Sequence, residues 1–312
     1  MTRFEDEIGE LALELAWSLW SELGVNGVAR RHDWQAIDLE PLLLYTAWIG
    51  PEDKRLQGRS IEWSIANFRI ASAIRMRNLA RQASRSTRGS FGRYAATVKE
   101  HANAPWPASG NPLARVRSGA EPAPDLRRPS LLQLRLRALV GVSARSEVLR
   151  LLLADPERPQ SVGQLAESAA YGKGSVAQSL DMLTMAGFVQ VHPFGNRLVY
   201  RLARPVEVRL ALQWLPAAFP DWAPIFRIVE SLAGYARRSS SSTAARVARL
   251  RTLLTAIDDD VRRLGIAGQV PKAIGSASIS EFERWALTYV SDLSGRSRLS
   301  PAGPVGENAH VA

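Results

Sequence analysis

Apolar residues in the first eighty positions recur at helical spacing. Phe4, Ile8, Leu11, Leu15 and Leu19 step by four, three, four and four, laying one stripe down a helix that ends near Gly24. Residues 60–83 repeat the pattern with Ile61, Ile65, Phe68 and Ser72, while Ile70 and Ile74 widen the apolar sector. Farther on, Val247, Leu250, Leu254, Ile257, Val261 and Leu264 step three, four, three, four, three, a heptad seam. Such a seam suits a helix between two subunits as well as one inside a bundle, and the spacing leaves both open. No internal repeat is visible, and no two-residue alternation recurs often enough for a large sheet. The expected fold class is mainly α.

Proline and charge divide the chain. Six of the 18 prolines (105, 107, 112, 122, 124 and 129) fall within 103–129. Proline fixes φ and is excluded from helix interiors, so this stretch is predicted to be an extended, Pro-rich linker. A helical N-terminal domain over 1–102 precedes it. A second break is expected at Arg237-Arg-Ser-Ser-Ser-Ser, and a disordered tail over 294–312. Trp17, Trp20, Trp34, Trp48 and Trp63 lie in the first domain, where helical spacing marks them as core rather than as a base-stacking platform.

The window 143–202 carries an ordered set of elements. Ala144–Ala154 is amphipathic, with Val148, Leu149 and Leu152 inward, and Asp155-Pro156 stops it. Ser161 can cap a short helix holding Leu165 and Ala166, and Ala169-Ala-Tyr-Gly172 turns the chain. The next helix runs from Lys173 to Ala186 with Val176, Leu180 and Leu183 inward, and Gly187 stands where a left-handed cap is expected. Phe188–His192 and Leu198–Leu202 alternate like strands, joined by Pro193-Phe-Gly-Asn196. Helix, helix, turn, helix and hairpin together make a winged helix-turn-helix, placed over 130–204, with a helical C-terminal region over 205–293. The helix predicted over 131–139 packs against it or pairs with a partner subunit.

The segments SVGQLAE, GKGSVAQSLDMLTMAGFVQVH and NRLVYRL resemble the positioning helix, recognition helix and wing of bacterial MarR/ArsR-like regulators. The resemblance is one of element order rather than of an invariant motif, and it covers a minor part of the 312 residues. It implies double-stranded DNA as partner, because an α-helix fits the major groove and its N-terminal residues reach base edges. Carried onto this chain, the base-facing candidates are Lys173, Ser175, Gln178 and Ser179, with Gly172 and Gly174 letting backbone approach phosphate. His192, Asn196 and Arg197 belong to the wing and would lie on phosphates or in the minor groove. The plain alternative is a protein–protein module, since serine and glutamine occupy any solvated helix face.

Charge favours a polyanion. Forty Lys+Arg against 30 Asp+Glu leave +10, and 36 of the 40 are arginines because only Lys54, Lys99, Lys173 and Lys272 are lysine. Within 130–204 nine bases and five acids leave 9 − 5 = +4. Residues 1–40 carry nine acids, whereas 69–99 carry eight bases and no acid. That basic stretch can be a second nucleic-acid surface or a solvated helix end, but its acidic neighbour favours pairing within the domain.

Other chemistry is absent from the sequence. Zero cysteines exclude disulfides, thiolate metal sites and cysteine nucleophiles. The longest apolar run, Leu42 to Ile49, is far short of a membrane span, and the acidic N-terminus does not read as a targeting peptide, so a cytoplasmic location is expected. His32, His101, His192 and His310 lack partners at ligand spacing, so no metal is expected. Gly172-Lys173 fails as a P-loop because Glu167 replaces the first glycine and Gly174 the Ser or Thr. Gly58-Arg-Ser-Ile-Glu62 ends wrongly for a nucleophile elbow, and no D-x-D follows Gly275-Ser276. Consecutive Asp258, Asp259 and Asp260 splay about 100° apart on a helix. The expectation is a non-enzymatic, cofactor-free regulator, a homodimeric repressor with helical flanks for dimerisation or sensing. The alternative is an antitoxin-type protein that grips a partner protein and represses its own operon.

Overall fold

The computed structural model describes residues 3–25, 27, 32–114, 123–237, 242–272 and 277–295. The serine break at 238–241, Gly275-Ser276, His310 and the tail beyond Gly295 lie outside the described residues. Those described form thirteen α-helices and one small antiparallel sheet of three strands.

Helix α1 (Arg3–Glu22) follows the predicted stripe and ends at Gly24, whose φ of +94° suits glycine. Helix α2 (Leu39–Ile49) is apolar on nearly every side, so it has no solvent face and runs through the centre, with every residue buried but Trp48. Trp20 and Trp63 meet edge to face at 5.4 Å and donate to Thr46 Oγ1 (2.7 Å) and the Leu23 carbonyl (3.1 Å). Trp17 joins them in the core, while Trp34 and Trp48 are half-buried. The stripe predicted over 60–83 is two helices, α3 (Lys54–Asn67) and α4 (Ala73–Gln82). Ser72 divides them: its hydroxyl accepts from Arg75 N at 3.2 Å, so it is a cap rather than a stripe position.

Helix α5 (Arg85–Ala102) ends at Asn103 in the left-handed region. The described parts of 103–129 correct the expectation of a spacer. Ala104 and Trp106 are buried in the body's core, Ser109 N donates to the Gly92 carbonyl (3.0 Å) and Leu113 N donates to Thr97 Oγ1 (2.8 Å). The segment is extended as its prolines require, but it is a strap along α5. Gly92 permits the approach, since a Cβ there would stand 2.0 Å from Ser109 Oγ. Residues 115–122 are outside the described residues.

The expected N- and C-terminal helical units share one core. Helices α11 (Trp222–Ala236), α12 (Thr243–Arg263) and α13 (Ala277–Leu293) pack with α1–α5 in a single apolar cluster. The heptad seam lies inside that bundle, with Leu250, Ile257 and Val261 buried against the neighbouring helices and Val247, Leu254 and Leu264 at its margin.

A second core belongs to residues 132–219. It holds α6 (Leu132–Val140), α7 (Ala144–Ala154), α8 (Val162–Ala169), α9 (Lys173–Met185) and the sheet β1 (Gln160–Ser161), β2 (Val189–Phe194), β3 (Arg197–Leu202), ordered β1-β3-β2. Helix α10 (Pro205–Leu212) rests on this core through Val208 and Leu212, so the module runs past the expected boundary at 204. It is therefore an insertion into the helical body. Both of its ends are stitched to one stretch: Ile37 N donates to the Ser130 carbonyl (2.9 Å), and Ala36 N to the Ala218 carbonyl (2.8 Å).

Candidate nucleic-acid interface

Local sequence explains the turn between α8 and α9. Ser161 accepts from Gln164 N (3.3 Å) while Gln164 Oε1 accepts from Ser161 N (2.9 Å), a reciprocal cap that starts α8. Ala170 ends it at φ +54°. Gly172 then precedes α9 and has no side chain to cap it, so the first-turn amides of α9 are left without a side-chain acceptor. At the far end Gly187 is left-handed (φ +77°), with Gly187 N donating to the Thr184 carbonyl and Phe188 N to that of Leu183. That paired closure, anticipated from the glycine, satisfies the last carbonyls and aims the chain into β2.

The hairpin is longer than predicted. Phe194 pairs with Arg197 and Pro193 with Leu198, leaving a two-residue turn at Gly195-Asn196 in which Gly195 has φ +59°. Pro193 is tolerated because β2 is an edge strand and needs no second ladder. β1, two residues pairing with β3, is too short to leave a sequence signal.

On α9, Lys173, Gly174, Ser175 and Gln178 are exposed, while Val176, Leu180 and Leu183 are buried. Ser179 corrects the expectation. It lies three residues after Val176 and four before Leu183, which puts it on the buried side at 8% exposure. Its hydroxyl donates to the Ser175 carbonyl at 2.8 Å, turned back onto its own helix. Asn196 and Arg197 are exposed at the hairpin tip. His192 is half-buried on β2, and the pleat puts it on one face with Phe194 and Arg197. The structure thus leaves Gly174, Ser175 and Gln178 exposed on one side of α9, with Lys173 at the edge toward the body, and places His192, Asn196 and Arg197 on the hairpin.

The chain matches no family model, no curated protein and no solved structure.

The body holds this module through a buried charge cluster that the sequence did not reveal. Asp38 and Glu40 at the start of α2 and Glu147 on α7 face Arg75 of α4, Arg137 of α6 and Arg150 of α7, three carboxylates against three guanidinium groups. Arg137 binds Glu40 at 2.6 and 2.8 Å and Glu147 at 2.7 Å. Arg75 forks onto Asp38 and reaches Glu40 at 2.6 Å, with its Nε donating to the Ala169 carbonyl at 2.9 Å. Gln133 Nε2 donates to both Asp38 and Glu147. Burial by itself would raise both carboxyl groups; Arg75 and Arg150 outweigh it at Asp38, and Arg75, Arg137 and Arg150 at Glu147, holding both below the usual carboxylate range. Pairing between the acidic and basic stretches is thus realised at Arg75.

The same helix fixes the turn before α9. Asn78 Nδ2 donates to the Ala170 carbonyl (2.9 Å), and the Tyr171 and Ser72 hydroxyls bond at 2.6 Å. Beyond them a cleft of 670 Å³ separates α4 from α8 and α9, with Arg81 on one wall and Gly163, Gly172 and Lys173 on the other. The exposed Arg81 of α4 therefore faces the start of α9 across this cleft. Among the described residues, no helix is long and apolar enough to cross a membrane.

Proposed function

We propose that residues 132–219 form a winged helix-turn-helix of the MarR/ArsR-like kind, and that the protein is a DNA-binding transcriptional regulator. The observation that carries this reading is the free polar face at the start of α9. Lys173, Ser175 and Gln178 project from the first turns of a helix whose uncapped amides suit phosphate, with Arg81 of the body across the cleft from Lys173. Gln178 fits adenine and Lys173 fits guanine or a phosphate, while Arg197 at the hairpin tip meets the sugar-phosphate backbone. No step in this reading needs a cofactor, a metal or catalysis, and repression by occupancy from a cytoplasmic homodimer is the simplest use of such a module.

Genomic fragments retained by the purified full chain test the proposal. A defined set of sites is expected, protected over one or two helical turns. In retitrations of those fragments, Gln178→Ala is expected to weaken binding about tenfold, equivalent to about 1.4 kcal/mol. A random set of fragments, or unchanged affinity in the variant, counts against base reading.

A second reading rests on the apolar residues around the same module. Met185 (82% exposed), Phe194 (75%) and Leu210 (70%) present large apolar area to solvent, joined by Met182, Phe188 and Leu198. A partner protein covering that surface fits an antitoxin-type role, in which the chain grips its partner and represses its own operon. Co-purification of one stoichiometric protein from the native host favours it over the regulator acting alone.

A further inference from the structure

Of the eight bases in 69–99, Arg75 belongs to the buried charge cluster and the other seven are exposed. None of those seven makes an ion pair among the described residues. Two have local duties. Arg69 lies over the Phe68 ring at 5.2 Å, and Arg88 donates to the carbonyls of Ala80 (3.0 Å), Arg81 and Ala83 (3.2 Å each), closing the end of α4. Arg93 and Lys99 stand more than two turns beyond the start of α5.

Arg77, Arg81 and Arg85 remain. Arg77 and Arg81 are four positions apart, so they are neighbours on the exposed face of α4. Arg81 also lines the 670 Å³ cleft opposite Lys173, which makes this face continuous with the start of α9. The acid lining that cleft, Glu167, is met by Arg263 at 3.5 Å. Arg85 opens α5, where the positive end of a helix disfavours a cation, and no acid stands in that first turn. Glu230 reaches the corner but accepts the Ser84 hydroxyl at 2.6 Å. Three exposed guanidinium groups within nine positions repel one another and bury no apolar surface. A single small anion meets one or two such groups, whereas a duplex presents a charge about every 3.4 Å along each strand.

We infer that the corner between α4 and α5 is a second DNA contact, with Arg77, Arg81 and Arg85 on the sugar-phosphate backbone flanking the base pairs that α9 reads. The inference rests on the DNA reading of α9 and adds a sequence-independent contact, since guanidinium forks suit phosphate oxygens and carry no base information. Ser72 and Asn78 of α4 bond the turn before α9, which fixes the spacing of the two contacts.

Salt-dependent anisotropy titrations of a retained genomic fragment, with hydroxyl-radical footprints of the same complex, test it. Arg77→Gln, Arg81→Gln and Arg85→Gln in one chain are expected to lower the magnitude of the salt slope by about 2.7, near 0.9 per contact. The variant should also lose protection at one flank while retaining the same set of fragments. A matched variant, Arg251→Gln with Lys272→Gln and Arg284→Gln, removes three exposed charges from α12, α13 and the loop between them and should keep the wild-type slope and footprint. Both variants should keep the wild-type unfolding midpoint, because every replaced side chain is exposed. A wild-type chain that retains no fragment removes the DNA reading and this contact with it. A wild-type chain with a steep slope, alongside a triple variant whose slope and footprint are unchanged, leaves the reading of α9 in place and overturns the corner contact alone. An equal fall of slope in the matched variant overturns it as well.

Discussion

Replacing Glu147 with alanine is expected to lower the unfolding free energy by about 3–5 kcal/mol, read from urea denaturation. Three guanidinium groups depend on that carboxylate: Arg137 at 2.7 Å, Arg150 at 2.9 Å and Arg75 at 3.8 Å, all within a junction closed to water. Removing one partner strands cations that burial has already stripped of solvent, and this is far worse than losing a surface pair. Arg137→Ala should cost about as much by exposing Glu40 and Glu147 to each other, and the two losses should not add, because both variants remove the same contacts. Acid gives the same result without mutation. The ordinary values of Asp38 and Glu147 are 3.8 and 4.5, and both groups are depressed in the folded chain. Their contribution is therefore whole above about pH 4.5 and is lost as pH falls through the folded-state values. The wild-type unfolding midpoint should hold from pH 7 to 5 and then drop steeply, and Glu147→Ala should drop less steeply. A wild-type midpoint that stays level down to pH 2 contradicts the assignment.

Trp222→Ala is the second large effect, about 3–5 kcal/mol. This indole is fully buried where the returning chain meets the body. It donates to the Ala36 carbonyl at 2.7 Å and stacks on Phe226 at 5.3 Å, which stacks in turn on Tyr45 of α2 at 4.3 Å. Because α11–α13 share their core with α1–α5, the loss should appear equally in both halves of the body. Limited proteolysis of the variant should release no resistant fragment ending near residue 114. A stable N-terminal fragment would mean that the halves fold separately after all.

These two predictions concern what the sequence left hidden. Periodicity exposes elements whose partners are close along the chain: the α7–α9 order, the Gly187 cap and the hairpin were all legible because each depends on neighbours within a few residues. Arg137 was not, since on α6 it reads as one more base on an amphipathic helix while Glu40 lies 97 positions earlier. The proline-rich strap misled for a related reason. Proline dictates an extended backbone but does not say whether Trp106 is buried against the body. Ser179 was a smaller error of the same kind, because polarity put it on the outer face while its angular position between Val176 and Leu183 put it inside. At the candidate interface the exposure of Lys173, Gly174, Ser175 and Gln178 was legible from the helix wheel; Arg81 was seen only as part of a basic run, with nothing to place it beside α9.

The central claim is that the start of α9 and the hairpin tip meet a duplex. Anisotropy titrations of a labelled genomic fragment across salt concentrations test it most directly. The wild-type chain should lose affinity linearly in log[salt], and Lys173→Ala with Arg197→Ala should lower the magnitude of that slope by about two, near 0.9 per lost phosphate contact. A wild-type affinity indifferent to salt, or a slope the double variant leaves unchanged, would contradict it.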